Sequence, residues 1–247
     1  MLSCYTTQNK MSQTLPKLQT FLAHAGIASR RKAEEMIRTG QVKVNREVAH
    51  IGQRVDPKKD EVRVNNTPVH KTELRVMYLI NKPVGIVSTT QDELGRKTVI
   101  DFLRQQLPPN TKLPRLYPVG RLDQDSEGLM ILTNDGELAQ HMTHPSFEVE
   151  KTYHVTVIGQ PTEKALDHLA RGVKLREGYT APAQVEVLET SPDQTTLALT
   201  IHEGRYHQVK RMLLRVGYDV TKLVRVQMGE YTLDDLEGRK YKVVERW

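Results

Sequence analysis

The chain has little of what builds disulfides, membrane anchors or cofactor sites. Its 247 residues include one cysteine, Cys4, so a disulfide within the chain is excluded and a reducing compartment suits it. No apolar run approaches the roughly 18 residues of a membrane span. The first sixteen residues are polar and have the features of neither a signal nor a transit peptide. We therefore expect a loose tail, an alternative start at Met11, no membrane partner and a cytoplasmic protein.

Cofactor and metal motifs are missing as well. The chain has no glycine-rich dinucleotide fingerprint, no phosphate-loop motif and no Cys/His cluster with zinc spacing. What it does have is length and 38% hydrophobic residues, enough to bury a core and to form two domains.

Positive charge is concentrated at one end of the sequence. Residues 1–63 hold 12 Lys and Arg against 6 Asp and Glu, whereas residues 64–247 hold 24 of each. The whole net charge of +6 therefore lies in the first quarter of the chain. This asymmetry indicates a module for a polyanion attached to a neutral body, although a plain solvated basic surface has the same composition.

The basic segment begins with two predicted helices. Apolar residues at helical spacing predict the first over Leu18–Ala25, and Ser29 is a good cap for a second helix that runs to Thr39. The first turn of the second helix carries Arg30, Arg31 and Lys32. Cations at the positive end of a helix dipole are unfavourable, so bound phosphates would explain them. Short valine-rich strands and Asn turns follow.

One acidic residue, Asp123, has surroundings suited to chemistry. Apolar runs at Leu116–Leu122 and Leu129–Leu132 predict two buried strands, and the polar segment between them predicts a loop. Asp123 is then at the junction of strand and loop, next to Arg121. A carboxylate in this position can stay ionised while partly shielded from water, as a nucleophile or base requires.

Two other interpretations of this loop stay open. Asp and Ser at a turn commonly hydrogen-bond their own backbone. Alternatively, Asp123, Asp125 and Glu127 followed by Gly128 match the first half of a calcium-binding loop. The calcium pattern then fails, because its twelfth position is Asn134 rather than Glu and the flanks are predicted strands.

The same residues resemble a known family. The segments Gly120-Arg121-Leu122-Asp123, Ser126, Gly128-Leu129 and Thr133-Asn134-Asp135-Gly136 resemble the signature of ribosomal RNA pseudouridine synthases of the RsuA/RluB/RluE/RluF type. Further matching segments lie at 81–85, 150–155 and 202–212, and residues 18–69 resemble an S4-type RNA-binding module. Lys82, in the first of these segments, could contact RNA, but a lone lysine beside a proline is more often simply exposed, so we expect an exposed side chain and leave it out of the predicted site.

The resemblance implies a catalytic group of three residues. Asp123 would be the nucleophile or base acting on the sugar or on the base ring, and Tyr153 would stack on the flipped uracil. Lys210 is our candidate cation for Asp123, because an opposite charge within about 4 to 6 Å favours an ionised carboxylate. Its helix carries an apolar stripe through Val209 and Met212, which leaves Lys210 at the edge of the stripe.

The remaining site residues are predicted to contact RNA. By resemblance, Arg121 would brace the space left by a flipped base, and Leu223 would border the uracil pocket, followed by Arg225. Arg211 lies opposite the apolar stripe of its helix and can reach solvent or phosphate. The set is completed by the basic helix turn, Arg30, Arg31 and Lys32.

We therefore predict an α+β protein that isomerises uridine to pseudouridine in ribosomal RNA. A tail (1–16) and an S4-type RNA-binding domain (17–69) would precede a linker (70–76) and a catalytic domain (77–247) with a mixed, mainly antiparallel sheet and flanking helices. Large-subunit RNA is the first substrate candidate and small-subunit RNA the second. We expect a monomer that acts on ribosomal RNA or a pre-ribosomal particle, with no cofactor and no metal. A non-catalytic RNA-binding or ribosome-assembly factor on the same fold is the open alternative.

Overall fold

A computed structural model describes residues 15–69 and 74–244 of the chain. Cys4, nearly all of the predicted tail, residues 70–73 of the predicted linker and residues 245–247 lie outside the described ranges. The chain divides into two units, Met1–Leu74 and Arg75–Trp247, and the described parts of each have their own hydrophobic core. Among the described residues, no helix has the length and apolar character to cross a membrane.

The N-terminal unit packs two helices on a small sheet. Its elements are α1 (Leu18–His24), α2 (Arg30–Arg38), β1 (Val42–Val44), β2 (Glu47–Val48), β3 (Val62–Val64) and β4 (Thr67–Pro68). The strand order is β2-β1-β3-β4. The predicted cap of α2 is confirmed, because the Ser29 hydroxyl accepts a hydrogen bond from the Lys32 amide at 3.1 Å. Leu18, Leu22 and Ile37 fill the core between helices and sheet.

The second unit is built on one large sheet. The strands of this unit are β5 (Met77–Lys82), β6 (Tyr117–Val119), β7 (Glu127–Thr133), β8 (Lys151–Ile158), β9 (Lys174–Leu175), β10 (Gly178–Tyr179), β11 (Gln184–Thr190), β12 (Gln194–Ile201), β13 (Val220–Met228), β14 (Tyr231–Thr232) and β15 (Tyr241–Val244). Of these, β9 and β10 form a separate two-stranded hairpin. Its α-helices are α3 (Val99–Gln106), α4 (Gly136–Thr143), α5 (Glu163–Arg171) and α6 (Gln208–Arg215).

The main sheet has nine strands and is mostly antiparallel, which confirms the predicted α+β fold. Its order is β11-β12-β8-β13-β7-β5-β15, with β14 paired to β13 and β6 paired to β7. Within it, β7 and β13 run parallel. Every residue of β7 from Gly128 to Thr133 is buried, as expected for a central strand covered on both faces. The pocket described below lies beside the start of this strand.

The β7–β13 pair depends on a glycine. Gly128 has φ +110°, and a Cβ at this position would lie 2.3 Å from the Arg225 carbonyl oxygen. Gly128 and Arg225 are register partners of the parallel pair. Only a residue without a side chain allows the two strands to approach here.

Candidate active site

A cavity of about 370 Å³ opens beside the central strands. Its lining includes five of the predicted site residues, namely Arg121, Asp123, Tyr153, Leu223 and Arg225. A cavity of this volume falls within the range of small-molecule pockets. The structure therefore brings together groups that are separated by more than a hundred residues in the sequence.

Asp123 is carried by a loop that a neighbouring segment holds in place. The strand predicted over Leu116–Leu122 is shorter than expected, since β6 ends at Val119 and leaves residues 120–126 as a connection. Ser88 Oγ donates to the Leu122 carbonyl at 2.6 Å and accepts from the Leu122 amide at 3.1 Å. On the other side of Asp123, the Gly85 amide donates to the Gln124 carbonyl at 2.7 Å. These contacts position the Asp123 backbone from both sides.

Two basic side chains, Lys210 and His207, face the Asp123 carboxylate. Lys210 Nζ is 3.8 Å from Asp123 Oδ2, as predicted, but it is closer to Asp125 Oδ1, at 2.5 Å. Lys210 is therefore shared between two carboxylates, and its hydrogen bond is the largest cause that lowers the pKa of Asp125. The second partner was not predicted: His207 Nε2 is 3.2 Å from Asp123 Oδ1. The Asp123 side chain is 24% exposed, so water still reaches it.

His207 is held in an unusual backbone conformation just before α6. It has φ +47°, and its ring stacks on Tyr206 with 3.9 Å between ring centroids. The apolar stripe predicted for α6 is confirmed, because Val209 and Met212 are buried. Together the turn and the helix bring His207 and Lys210 to the same carboxylate.

Lys82 was predicted to be exposed, and this prediction is wrong. It is fully buried, and its Nζ donates to the carbonyls of Ser126 at 2.6 Å and Pro83 at 3.1 Å. Burial lowers its pKa to about 8, and this shift is opposed by the carboxylates of Asp123, Asp125 and Glu127. The Lys82 ammonium group thus lies beneath the 120–126 loop and hydrogen-bonds the backbone at the C-terminal end of that loop.

The cavity wall is formed by Tyr153, Leu223 and Arg225. Tyr153 on β8 and Arg225 on β13 are register partners, and they are 8% and 1% exposed. The Arg225 Nε donates to the Leu129 carbonyl at 2.8 Å, inside the sheet. Arg225 was predicted to bind RNA. Its guanidinium is instead withdrawn from solvent and supports the cavity wall from inside the sheet. Leu223 is 6% exposed and faces the same cavity.

Two further cations line the cavity. Arg121 is exposed and makes no ion pair with any residue that the structure describes. Lys151, which the sequence reasoning missed, is 9% exposed and donates to the Val149 carbonyl at 2.8 Å. Burial, followed by the charge of Arg225, lowers the pKa of Lys151. An accessible cation and a buried one therefore flank the same space.

The remaining predicted RNA contacts lie outside this cavity. Arg211 Nη2 pairs with Glu177 at 2.6 Å, and its Nη1 donates to the Tyr206 carbonyl at 3.0 Å. In the other unit Arg30 and Arg31 are exposed on α2, and Lys32 pairs with Glu35 at 3.0 Å. The basic turn of α2 is thus open to solvent.

The carboxylates of the calcium-like pattern are each contacted by basic side chains. Lys210 links Asp123 and Asp125, His207 also faces Asp123, and Glu127 pairs with Lys222 at 3.2 Å. Within residues 15–69 and 74–244, no group of three or more His, Cys, Asp or Glu side chains is arranged to hold a metal ion. Protein side chains, rather than one shared ion, therefore contact the three carboxylates.

Comparison with known proteins identifies the fold and the reaction class. The profile of the family described as RNA pseudouridylate synthase matches residues 76–215, and the S4 domain profile matches residues 17–62. The chain is 45% identical to ribosomal large subunit pseudouridine synthase B of Bacillus subtilis, over 91% of this chain and 88% of that protein. This chain belongs to the RNA pseudouridylate synthase family. The synthase match includes Asp123, Tyr153 and Lys210, and the S4 match includes the basic turn of α2.

Two other relatives agree with this assignment. The synthase is 41% identical to ribosomal large subunit pseudouridine synthase E of Vibrio vulnificus, over 76% of this chain and 85% of that protein. A crystal structure of a pseudouridylate synthase superposes with a TM-score of 0.64 at 32% identity, covering 94% of this chain and 96% of the other. The synthase therefore has the architecture of an enzyme family together with an S4 domain, and the non-catalytic alternative is not favoured.

Proposed function

We propose that the synthase converts uridine to pseudouridine in ribosomal RNA, with large-subunit RNA as the first candidate substrate. The observation that carries the proposal is the Asp123 carboxylate, which lies in a cavity between His207 and Lys210. The relatives from Bacillus subtilis and Vibrio vulnificus, whose names specify the large ribosomal subunit, support the choice of RNA. Small-subunit RNA is the second candidate.

The reaction exchanges one bond for another within the same nucleotide. The glycosidic bond between the sugar and a ring nitrogen breaks, the uracil turns, and a ring carbon joins the sugar. The ring nitrogen gains a proton and the ring carbon loses one, so the conversion is an isomerisation with no external electron donor. The residues of the cavity must hold the detached base, keep it oriented and move one proton.

Asp123 is the nucleophile or base of this scheme. His207 Nε2 and Lys210 Nζ face its two oxygens at 3.2 and 3.8 Å, and buried Lys82 adds positive charge behind the loop. The two lysine ammonium groups stabilise an ionised carboxylate in a partly closed site.

A uridine stacked in a helix cannot reach Asp123, so it must leave its stack. Tyr153 then packs against the extruded uracil, and Leu223 borders the base from the same wall of the cavity. Arg225 supports this wall from inside the sheet. Exposed Arg121 at the cavity mouth braces the RNA where the base has left.

The S4 domain supplies affinity for structured RNA. The exposed cations of the α2 turn, Arg30, Arg31 and Lys32, contact phosphates, which favour this end of a helix. We assign the domain to residues 17–69, a linker to 70–76 and the catalytic domain to 77–247. The protein acts as a monomer in the cytoplasm, on ribosomal RNA or a pre-ribosomal particle, and needs no cofactor.

Replacement of Asp123 tests the proposed function. We expect Asp123→Asn to reduce pseudouridine formation on ribosomal RNA by at least about 10³-fold, because the neutral amide cannot act as nucleophile or base. Its RNA affinity should stay within about twofold of the wild type. Asp125→Asn is the matched control, since its side chain is 72% exposed, and it should keep activity within about tenfold.

The substrate is measured by mapping pseudouridines across both ribosomal RNAs from cells with and without the gene. A single site lost from large-subunit RNA is the expected result. Full activity of Asp123→Asn, or no modification of either RNA by the wild type, would contradict the proposal and favour a ribosome-assembly factor.

A further inference from the structure

A second basic surface lies on the catalytic unit, outside the cavity. The β9–β10 hairpin and α6 form a groove, and its lining is Lys174, Leu175, Arg176, Arg211, Leu214 and Arg215. Four of these six side chains are cations. We call this surface the hairpin groove.

Most of the positive charge in the hairpin groove is available to a ligand. Arg211 is neutralised by Glu177, at 2.6 Å. Lys174, Arg176 and Arg215 are exposed, and none of them forms an ion pair with a described residue. Residues 64–247 hold equal numbers of acidic and basic residues, so three unpaired cations in one groove are a local excess of positive charge.

The hairpin groove is fixed in shape by arginines that connect its parts. Arg205, just before α6, donates to the carbonyls of Gly178 at 3.1 Å and Tyr179 at 2.6 Å on β10. Arg211 bridges α6 to the hairpin through Glu177. The free cations therefore project from a preorganised frame, which lowers the entropy cost of binding an extended anion.

The position of the hairpin groove relates it to the catalytic cavity. His207, next to the first residue of α6, contacts Asp123, and Arg215 is the last residue of that eight-residue helix. A helix of this length spans about 12 Å. At a rise of about 3.4 Å per nucleotide, Arg215 at the far end of the helix lies about three or four nucleotides from a base bound at Asp123.

We propose that the hairpin groove binds backbone phosphates of the substrate RNA on one side of the target uridine. The inference rests on the proposed function, because it assigns to the same substrate a second contact. Lys174, Arg176 and Arg215 neutralise phosphates, and Leu214, which is 62% exposed, packs against the sugars between them. The catalytic unit then contributes its own share of RNA affinity and fixes the direction in which the strand crosses the cavity.

The test removes the three unpaired cations. The variant is Lys174→Gln/Arg176→Gln/Arg215→Gln. The matched control, Lys112→Gln/Lys164→Gln/Lys240→Gln, removes the same charge from exposed positions elsewhere in the same unit. The probe is an unmodified transcript of the ribosomal RNA segment found by the mapping above. RNA affinity is measured between 50 and 200 mM salt, conditions that resolve the slope of affinity against salt.

We expect the groove variant to lower the salt slope by about 2 to 3, because each phosphate that is no longer neutralised reduces the slope by about one unit. KM should rise at least about tenfold, while kcat at saturating RNA stays within about twofold and thermal stability is unchanged. The control should keep the wild-type slope and KM.

Equal slopes and KM values for the groove variant and the control would overturn the inference. A defect seen on pre-ribosomal particles but absent on naked RNA would also overturn it and would indicate a protein partner. Failure of the proposed function is a different result, because the wild type would then modify neither RNA, and the salt slopes would be compared on an unmodified transcript of large-subunit RNA.

Discussion

Lys82 shows how a buried charge can serve a neighbouring acidic loop. Its ammonium group donates to two carbonyls, and the carboxylates of Asp123, Asp125 and Glu127 favour its charged form. An isolated charge in this position would be costly, but these partners offset part of the desolvation. The group therefore contributes electrostatically to the site while it fixes the Ser126 backbone.

Lys82 predicts a specific pH dependence of stability. Its pKa is about 8 in the folded protein and near 10.5 when unperturbed, so the unfolded chain binds the proton more tightly between these values. The free energy of unfolding should therefore rise with pH from about 8 to about 10.5. Lys82→Met removes this contribution. The difference in unfolding free energy between wild type and variant, from urea titrations, should grow by about 3 kcal/mol across that range.

Lys240→Met, at an exposed position in the same unit, is the control and should show no such growth. A constant difference between wild type and Lys82→Met from pH 7 to 10.5 would contradict the assignment. A difference that falls with rising pH would contradict its sign.

Residue by residue, the sequence predicted several of the side chains that lie around Asp123 and missed others. The motif around Asp123 is local, and the predicted neighbours Tyr153, Leu223 and Lys210 do reach the same site. Lys82 was misread because a lysine before a proline is typical of a surface loop, whereas here the 120–126 connection covers it. His207 carried no periodic signal, since its placement depends on a left-handed backbone that sequence spacing does not reveal.

At the scale of elements, the parallel contact between β7 and β13 controls the cavity wall. Arg225 and Leu223 lie on β13, and the Arg225 side chain donates to Leu129 on β7. The separation of these strands is set at Gly128, where a Cβ would meet the Arg225 backbone. Packing at one position thus determines the shape of the site.

Gly128→Ala should therefore destabilise the protein and disrupt the cavity together. We expect a loss of about 3 kcal/mol or more in the free energy of unfolding, because both backbones must move. Gly159→Ala is the matched control: φ there is +77°, but nothing lies within 4 Å of the added Cβ. It should cost about 1 kcal/mol. Urea unfolding of both variants measures their losses in the free energy of unfolding. Equal losses would contradict the proposed clash.

Elements with local signals were predictable and those fixed by distant contacts were not. The cap at Ser29 marks the start of its helix in the sequence, and it is observed in the structure. The β9–β10 hairpin was missed because its strands have two residues each and carry no alternation. Arg205 holds this hairpin from outside, through a contact that spans 26 residues or more.

At the scale of the whole molecule, the proposed function divides RNA binding and catalysis between the two units. The net charge of +6 resides in residues 1–63, whereas the Asp123 carboxylate belongs to a segment, residues 64–247, that is neutral. Each unit has a separate core. Separate cores predict separate folding, and the charge distribution predicts separate effects on affinity and turnover.

A chain of residues 75–247 should fold alone, with one cooperative calorimetric transition. Without the basic unit, KM for ribosomal RNA should rise by about 10²-fold while kcat at saturating RNA remains within about threefold. Arg30→Gln/Arg31→Gln in the full chain should lower the salt slope by about 2 without a change in thermal stability. An unfolded 75–247 fragment, or one with the full affinity, would contradict this division.

Because a central strand of the sheet lies late in the sequence, the catalytic unit can be completed only near the end of synthesis. β13 is the central partner of β8 and β7, yet it is made almost a hundred residues after Asp123. A nascent chain can complete its S4 domain long before Val220–Met228 emerges from the exit tunnel. Each copy of the protein thus passes through an interval in which it can hold RNA and cannot yet alter it. Chains released early, before β13 is made, would be competitors of the finished enzyme.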